Sequence, residues 1–252
     1  MVPRKALPWL EPGEPFPPVS QAWGPLDPVD GLLAAGGALD VPTLLAAYGQ
    51  GIFPWFSKDQ PVLWWSPNPR MVLRTDNFRF HPSLRKTLRS ALKSQRFELR
   101  MDTAFETVIQ ACASTPRQGQ GGTWIVPDMV NAYCALHRAG HAHSVETWWD
   151  GALVGGLYCV NLGRMVFGES MFMHRTDASK LALAGLVAFC RAQQIQAIDC
   201  QQNTTHLASL GASEESREAF VALIAHSQDL PAPAWQFDPI YWETLLKPTQ
   251  VT

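Results

Sequence analysis

Three polar residues stand where the chain is otherwise apolar. Asp199 and Gln201 are two apart in a segment, residues 195–201, that reads as a strand, so both side chains point to one face. A carboxylate there could orient an amide, and the amide an attacking group; equally, the pair could satisfy loop backbone at a strand end. Glu169 lies between Gly168 and Ser170 inside a second apolar strand, residues 164–172. A carboxylate in that setting is costly to bury without a partner. The partner is either a cation brought by a substrate or an internal one such as Lys180 or Arg164. His137, His141 and His143 include a His-x-His pair that could ligate zinc, but only Glu146 lies near as a further ligand.

The elements that must position these groups follow from periodicity and turn chemistry. Asp150-Gly151 between residues 144–149 and 152–160 is a strong two-residue hairpin signal. Asn161-Leu162-Gly163 turns the chain into the strand that carries Glu169. Asp177 is placed to cap a long helix over 178–192, and a last helix is expected around 217–225. Upstream, Asp40-Val41-Pro42-Thr43 opens a helix, and Thr103 to Glu106 has the spacing of a capping box. Residues 127–139 form a third helix in this stretch. Residues 82–93 are amphipathic: Leu84, Leu88 and Leu92 share one arc, while Arg85, Lys86, Arg89 and Lys93 form a cationic stripe. That stripe is either a solvated helix face or a surface for phosphates. The proline-rich stretch 1–31 reads as an extended surface arm.

From residue 144 the order is strand, strand, strand, helix, strand, helix. It suits a mixed sheet with helices packed on it and resembles the acyltransferase fold of the GNAT superfamily. The expected class is α+β: a small N-terminal domain with the proline-rich arm over residues 1–75, and a GNAT-like catalytic domain over 76–252. At 46% hydrophobic and 17% charged, the 252 residues can build a core. The formal net charge of −2 gives no global basic field, so any nucleic-acid surface must be local. Five cysteines without a Cys-x-x-Cys pair argue for a reducing compartment, and no apolar run approaches a membrane span. A soluble cytoplasmic monomer is the expectation.

Several segments in one order carry a closer likeness. They are Gly51-Ile52-Phe53-Pro54-Trp55-Phe56, Trp64-Trp65-Ser66-Pro67-Asn68-Pro69-Arg70, Gly140-His141-Ala142-His143-Ser144-Val145-Glu146 and Val154-Gly155-Gly156. Phe167-Gly168-Glu169-Ser170-Met171-Phe172, Ala178-Ser179-Lys180, Ile198-Asp199-Cys200-Gln201 and the run from His206 to Ala212 continue it. Together they resemble the leucyl/phenylalanyl-tRNA–protein transferase family. The resemblance implies donors of leucyl-, phenylalanyl- and, less readily, methionyl-tRNA. It implies acceptor proteins that begin with Arg or Lys, which the added residue marks for degradation, and it implies no metal or other cofactor.

Such a reaction turns an ester into an amide and runs downhill. The nucleophile is an α-amine of pKa roughly 7.7–8.0, on the order of a tenth neutral at pH 7. A base therefore gains about tenfold, whereas positioning gains effective molarities of ~10⁵ M and above. In the family the Asp and Gln matching Asp199 and Gln201 are proposed to polarise the amine; orientation of Gln201 by Asp199 is favoured here over proton removal. Glu169 would face the cationic acceptor. Trp124, Leu157, Phe167, Met171, Phe172, Leu186 and Cys190 are candidates for the apolar side-chain pocket, though residues of these types equally build a core. Leu157 stands where the family has Met, and Cys190 where it has Phe. Trp55 and Trp124 could stack on the terminal adenosine, and Arg85, Lys86, Arg89 and Lys93 could meet acceptor-stem phosphates. The rival enzyme is an acyl-CoA-dependent N-acyltransferase, but residues 173–180 lack the glycines of a pyrophosphate loop. The rival non-enzyme is an RNA-binding module built on the same helix and tryptophans.

Overall fold

The structure, a computed structural model, describes residues 6–115 and 125–247. A small sheet forms first. Strands β1 (Trp9–Leu10), β2 (Leu32–Gly36), β3 (Phe53–Pro54) and β4 (Leu63–Trp65) pair in the order β1-β2-β4-β3. The proline-rich arm thus differs from a purely surface segment. Between its prolines, Trp9 and Leu10 keep the N–H groups a ladder needs, and β1 pairs parallel with β2. Phe16 is buried with its ring centroid 4.8 Å from that of Trp64. Helix α1 (Val41–Tyr48) starts where expected, with Asp40 Oδ1 accepting from Thr43 N at 2.9 Å.

A seven-stranded sheet follows, built from β5 (Arg70–Arg74), β6 (Phe97–Met101), β7 (Ala142–Trp149), β8 (Ala152–Leu162), β9 (Met165–Met173), β10 (Ala197–Asp199) and β11 (Ser213–Glu215). Its order is β11-β5-β10-β9-β8-β7-β6. The β9–β10 pair is parallel and the others are antiparallel, so the sheet is mixed. The β7–β8 hairpin turns on Asp150 and Gly151, both with positive φ, as a primed turn requires. The chain passes from the small sheet to the large one between Trp65 and Arg70.

Helices cover both faces. On one face lie α1, α3 (Phe105–Ser114), α4 (Pro127–Arg138) and α7 (Arg217–Ser227), around a core that includes Tyr48, Trp64, Tyr133, Phe167 and Phe220. On the other lie α2 (Pro82–Ser94), α5 (Ala178–Ala192) and the short α8 (Glu243–Leu246), around Leu88, Leu157, Leu186, Phe189 and Trp242. The five-residue α6 (Thr205–Ser209) follows β10. Gly155 lets α5 approach: a Cβ there would sit 2.5 Å from the Ala178 Cβ.

Three local expectations are corrected. The inward arc of α2 is Leu84, Leu88 and Ala91, and Leu92 is exposed, because a 3.6-residue turn returns at i+7 rather than i+8. Glu106 turns outward to Gln110, and the N–H groups just before α3 go instead to the buried Glu146, which accepts from Thr103 N (2.9 Å), Ala104 N (2.7 Å) and Ser144 Oγ (2.7 Å). A distant carboxylate already desolvated in the sheet needs those donors more than an exposed one does. Asp177 precedes α5 in a left-handed conformation and makes no side-chain cap; its Oδ1 pairs with Lys180 Nζ at 3.0 Å.

Candidate active site

Strand β10 ends at Asp199, opposite Phe167, while β9 runs on to Met173. The second half of β9 thus loses its neighbour on that edge, and a notch opens in the sheet. Gln201 does not continue the strand as its spacing implied. It takes a left-handed φ of 55°, a conformation a non-glycine residue holds only where its surroundings enforce it. Its side chain swings back to β9, and Nε2 donates to the Gly168 carbonyl at 2.6 Å and lies 3.3 Å from Glu169 Oε1. The side chain replaces the ladder partner that Gly168 lacks. No donor among the described residues reaches Gln201 Oε1.

Glu169 is the extra residue of a β-bulge. Tyr158 pairs with Ser170 and Cys159 with Gly168, so Glu169 opposes nothing on β8. The bulge aims its carboxylate at two buried phenols. Tyr48 Oη, at the end of α1, donates to Oε1 at 2.7 Å, and Tyr133 Oη, on α4, to Oε2 at 3.2 Å. The two hydroxyl oxygens are also within hydrogen-bonding reach of each other, and because each phenol has a single proton, all three contacts are hydrogen bonds at once only when the carboxyl is itself protonated. Neither Lys180 nor Arg164 is the partner: Lys180 is held by Asp177, and Arg164 donates to Gln194 Oε1. Burial pushes the Glu169 carboxyl up to about 8; the nearby Asp199 adds to this, and the two tyrosines and Arg70 oppose it. The phenols, raised first by burial and then by Glu169, remain protonated donors.

Asp199 is fully buried and saturated. Arg70 clasps it with two parallel hydrogen bonds, Nε to Oδ1 at 2.8 Å and the second terminal nitrogen to Oδ2 at 2.6 Å. Oδ1 also accepts Gln201 N at 2.9 Å. The guanidinium is itself fixed: its remaining nitrogen donates to Gly51 O at 3.0 Å, and its carbon lies 4.8 and 4.6 Å from the Phe53 and Phe220 ring centroids. A carboxylate held this way is a strut, not a free base. Sequence reasoning gave Arg70 no role, although it closes the Trp64-Trp65-Ser66-Pro67-Asn68-Pro69-Arg70 motif; Tyr48 and Tyr133 carried no separate signal.

The notch opens into a cavity of about 330 Å³, lined by Glu169, Asp199 and Gln201 with Leu157, Met171, Leu183, Leu186, Ile198 and Leu207. Thus Leu157, Met171 and Leu186 reach the cavity with the three polar residues. Phe167, Phe172 and Cys190 do not: all three are buried behind it, Phe167 against Tyr48 with centroids 5.0 Å apart. Phe167 and Phe172 belong to the core that contains Tyr48 and Tyr133, and Cys190 to the core around α5. Trp55 packs on Trp65, with centroids 5.3 Å apart, and is not on the lining. Trp124 lies outside the described residues. His137 stacks on Phe105 and its Nδ1 bonds Ala142 O; His143 stacks on Trp235 and bonds Asp102 Oδ2 at 2.8 Å. Among the described residues no three His, Cys, Asp or Glu side chains are grouped to hold a metal.

An apolar cavity with a carboxyl, an amide and fixed struts at one edge suits transfer of an apolar acyl group to an amine. Comparison with known sequences agrees with this chemistry. The family model for leucyl/phenylalanyl-tRNA protein transferase matches residues 72–225, and the model for the N-terminal domain of the same family matches residues 37–68. The chain belongs to the leucyl/phenylalanyl-tRNA–protein transferase family. It is 65% identical over 248 residues to the leucyl/phenylalanyl-tRNA–protein transferase of Polaromonas sp. (strain JS666), covering 97% of both chains. It is 59% identical to that of Albidiferax ferrireducens, covering 98% of this chain and 97% of that one. Among solved structures, FemX overlays with a TM-score of 0.46 at 12% identity, covering 69% of this chain and 66% of that one. The protein is therefore an aminoacyltransferase, and the family reaction moves Leu or Phe from tRNA to the N-terminal residue of a protein.

For a tRNA-dependent transferase the cationic surface matters next. Lys86, Arg89 and Lys93 of α2 are exposed. Arg85 is set apart from them: it is half-buried, 5.0 Å over the Phe80 ring, and donates to Leu246 O at 3.3 Å. Among the described residues no helix is long and apolar enough to cross a membrane.

Proposed function

We propose that the cavity at the β9–β10 notch seats the aminoacyl end of the donor, its side chain against Leu157, Met171, Leu183 and Leu186 and its ester carbonyl beside Gln201. The convergence of Glu169, Gln201 and the buried Arg70–Asp199 pair on a cavity walled by Leu157, Met171, Leu183 and Leu186 carries this reading. The acceptor α-amine approaches along that edge. Gln201 Oε1, which no donor among the described residues reaches, is held in place by the bonds to Nε2 and the backbone N; it accepts a hydrogen bond from the amine and aims the amine's lone pair at the carbonyl carbon. The new C–N bond forms as the ester C–O bond breaks; the nitrogen gives up a proton and the departing ribose oxygen takes one. Asp199 only fixes Gln201, and positioning supplies the rate.

Glu169 is the anchor for the acceptor. A carboxyl at the cavity edge, backed by two phenols, suits a guanidinium or an ammonium in its ionised form, and Arg then pairs with it through two hydrogen bonds. This supports acceptors that begin with Arg or Lys, with degradation of the marked protein as the consequence. Met as a third, poorer donor residue suits the soft lining that Met171 gives the cavity. Lys86, Arg89 and Lys93 meet phosphates of the acceptor stem, while Arg85 holds the C-terminal segment.

The deciding experiment is transfer of labelled leucine from leucyl-tRNA to a peptide beginning with Arg, with acetyl-CoA as a control donor. The Glu169→Gln variant should raise the KM for the peptide and leave tRNA affinity in place. A KM that does not move sinks the anchor.

A further inference from the structure

The cavity has one wall the reaction has not used. Thr204, His206 and Leu207 line it from the β10–α6 side, facing Leu183 and Leu186 of α5. The His206 main-chain oxygen accepts from Ser209 Oγ at 2.6 Å, but no group among the described residues hydrogen-bonds the imidazole. Lys180 lies one turn before Leu183 on α5, and its charge acts on His206. Its ammonium gives one of three donors to Asp177 at 3.0 Å and keeps 41% of its side chain in solvent. Among the described residues that line the cavity, the other acidic side chains are Glu169 on β9 and Asp199, the latter paired with Arg70.

This distribution has a direction. Leu157, Leu183 and Leu186 line one side, the carboxyl and amide sit at the notch, and His206, near enough to Lys180 to feel its charge, lines the remaining wall. A donor entering with its amino acid first carries, in the same order, an apolar group, an ester, a ribose and then an anion. We propose that His206 and Lys180 seat the phosphodiester group on the 5′ side of the terminal adenosine, and so fix how deeply the aminoacyl end enters the cavity. The inference rests on the cavity being the donor pocket. Burial, and then Lys180, lower the affinity of His206 for a proton; an anion beside both groups acts in the opposite sense.

The test compares two small donors, the 3′-leucyl ester of adenosine and the 3′-leucyl ester of adenosine 5′-monophosphate, on one Arg-starting peptide. The parent enzyme should prefer the phosphate-bearing ester in kcat/KM. In His206→Gln and in Lys180→Gln that preference should fall about tenfold, the size expected for losing one charge-assisted hydrogen bond, with the change in donor KM rather than in acceptor KM. A preference that stays at the parent value in both variants overturns the proposal. Leu186→Trp separates the two levels of inference. If it cripples both esters while His206→Gln leaves the preference intact, the phosphate seat alone fails. If it affects neither ester, the donor-pocket reading fails with it.

Discussion

Arg70 and Asp199 meet in the interior through two parallel hydrogen bonds of 2.8 and 2.6 Å, with side chains 1% and 0% exposed. Arg70 sits on β5, just past the small sheet, and Asp199 at the last residue of β10, so the pair fixes the end of the strand that leads to Gln201. Removing one partner strands a buried charge. Arg70→Met should destabilise the fold by about 3–5 kcal/mol in urea unfolding. Arg70→Met combined with Asp199→Leu should recover most of that stability and none of the activity, since Gln201 N then loses its acceptor.

Gln201→Ala should lower kcat at least tenfold with little change in the KM for leucyl-tRNA. The side chain bonds the Gly168 carbonyl, and in the proposed reaction it meets the amine rather than the body of the tRNA. Single-turnover kinetics with pre-bound donor would show the loss in the chemical step; an unchanged rate there would remove Gln201 from the reaction.

Glu169 should make acceptor binding depend on pH. Its carboxyl titrates at about 8 in the empty enzyme, and only the ionised form pairs with a guanidinium. An acetylated arginine amide has no titrating amine, so it isolates the effect. Its inhibition constant should fall as pH rises from 6 to 8 and level off above, and Glu169→Gln should abolish the trend.

The same group should limit stability. A folded pKa raised from 4.5 to about 8 means that stability present below the unfolded value is lost as pH rises across that window. Glu169→Gln should therefore melt higher than the parent at pH 8, with the difference shrinking toward pH 5. Calorimetry at the two pH values checks the sign.

Leu186 is 1% exposed and borders the cavity. Leu186→Ala enlarges the pocket by about three methylene-sized groups' worth of space and should shift kcat/KM toward phenylalanyl-tRNA over leucyl-tRNA. A shift on the order of tenfold is the scale for one misfit in an apolar pocket. An unchanged ratio of the two donors would move side-chain selection elsewhere.

Much of the fold was legible because its signals are local. Asp150-Gly151 demanded a primed turn, and Asp40 had its Thr43 amide three residues away. Residues 178–192 read as a long helix, and α5 has those bounds. The same logic failed where a local residue competed with a distant one. Glu106 had the right spacing to cap α3, yet Glu146, brought by β7, took the donors. The site divides likewise. Asp199, Gln201 and Glu169 were visible as polar residues in apolar strands, but their partners were not, because Tyr48, Tyr133 and Arg70 come from 121, 36 and 129 positions away respectively.

The sequence by itself determined the family, the mixed α+β plan and the polar residues at the centre of the site, since each rests on residue type, spacing or motif order. Tertiary structure alone decided what those residues can do. It ended β10 at Asp199 and turned Gln201 through a left-handed backbone onto β9; it made Glu169 a bulge beneath two phenols and saturated Asp199 with Arg70. Protonation and hydrogen-bond saturation depend on the desolvation and the neighbours each group meets. Those arise only when chain segments from 33 to 129 residues apart are packed together.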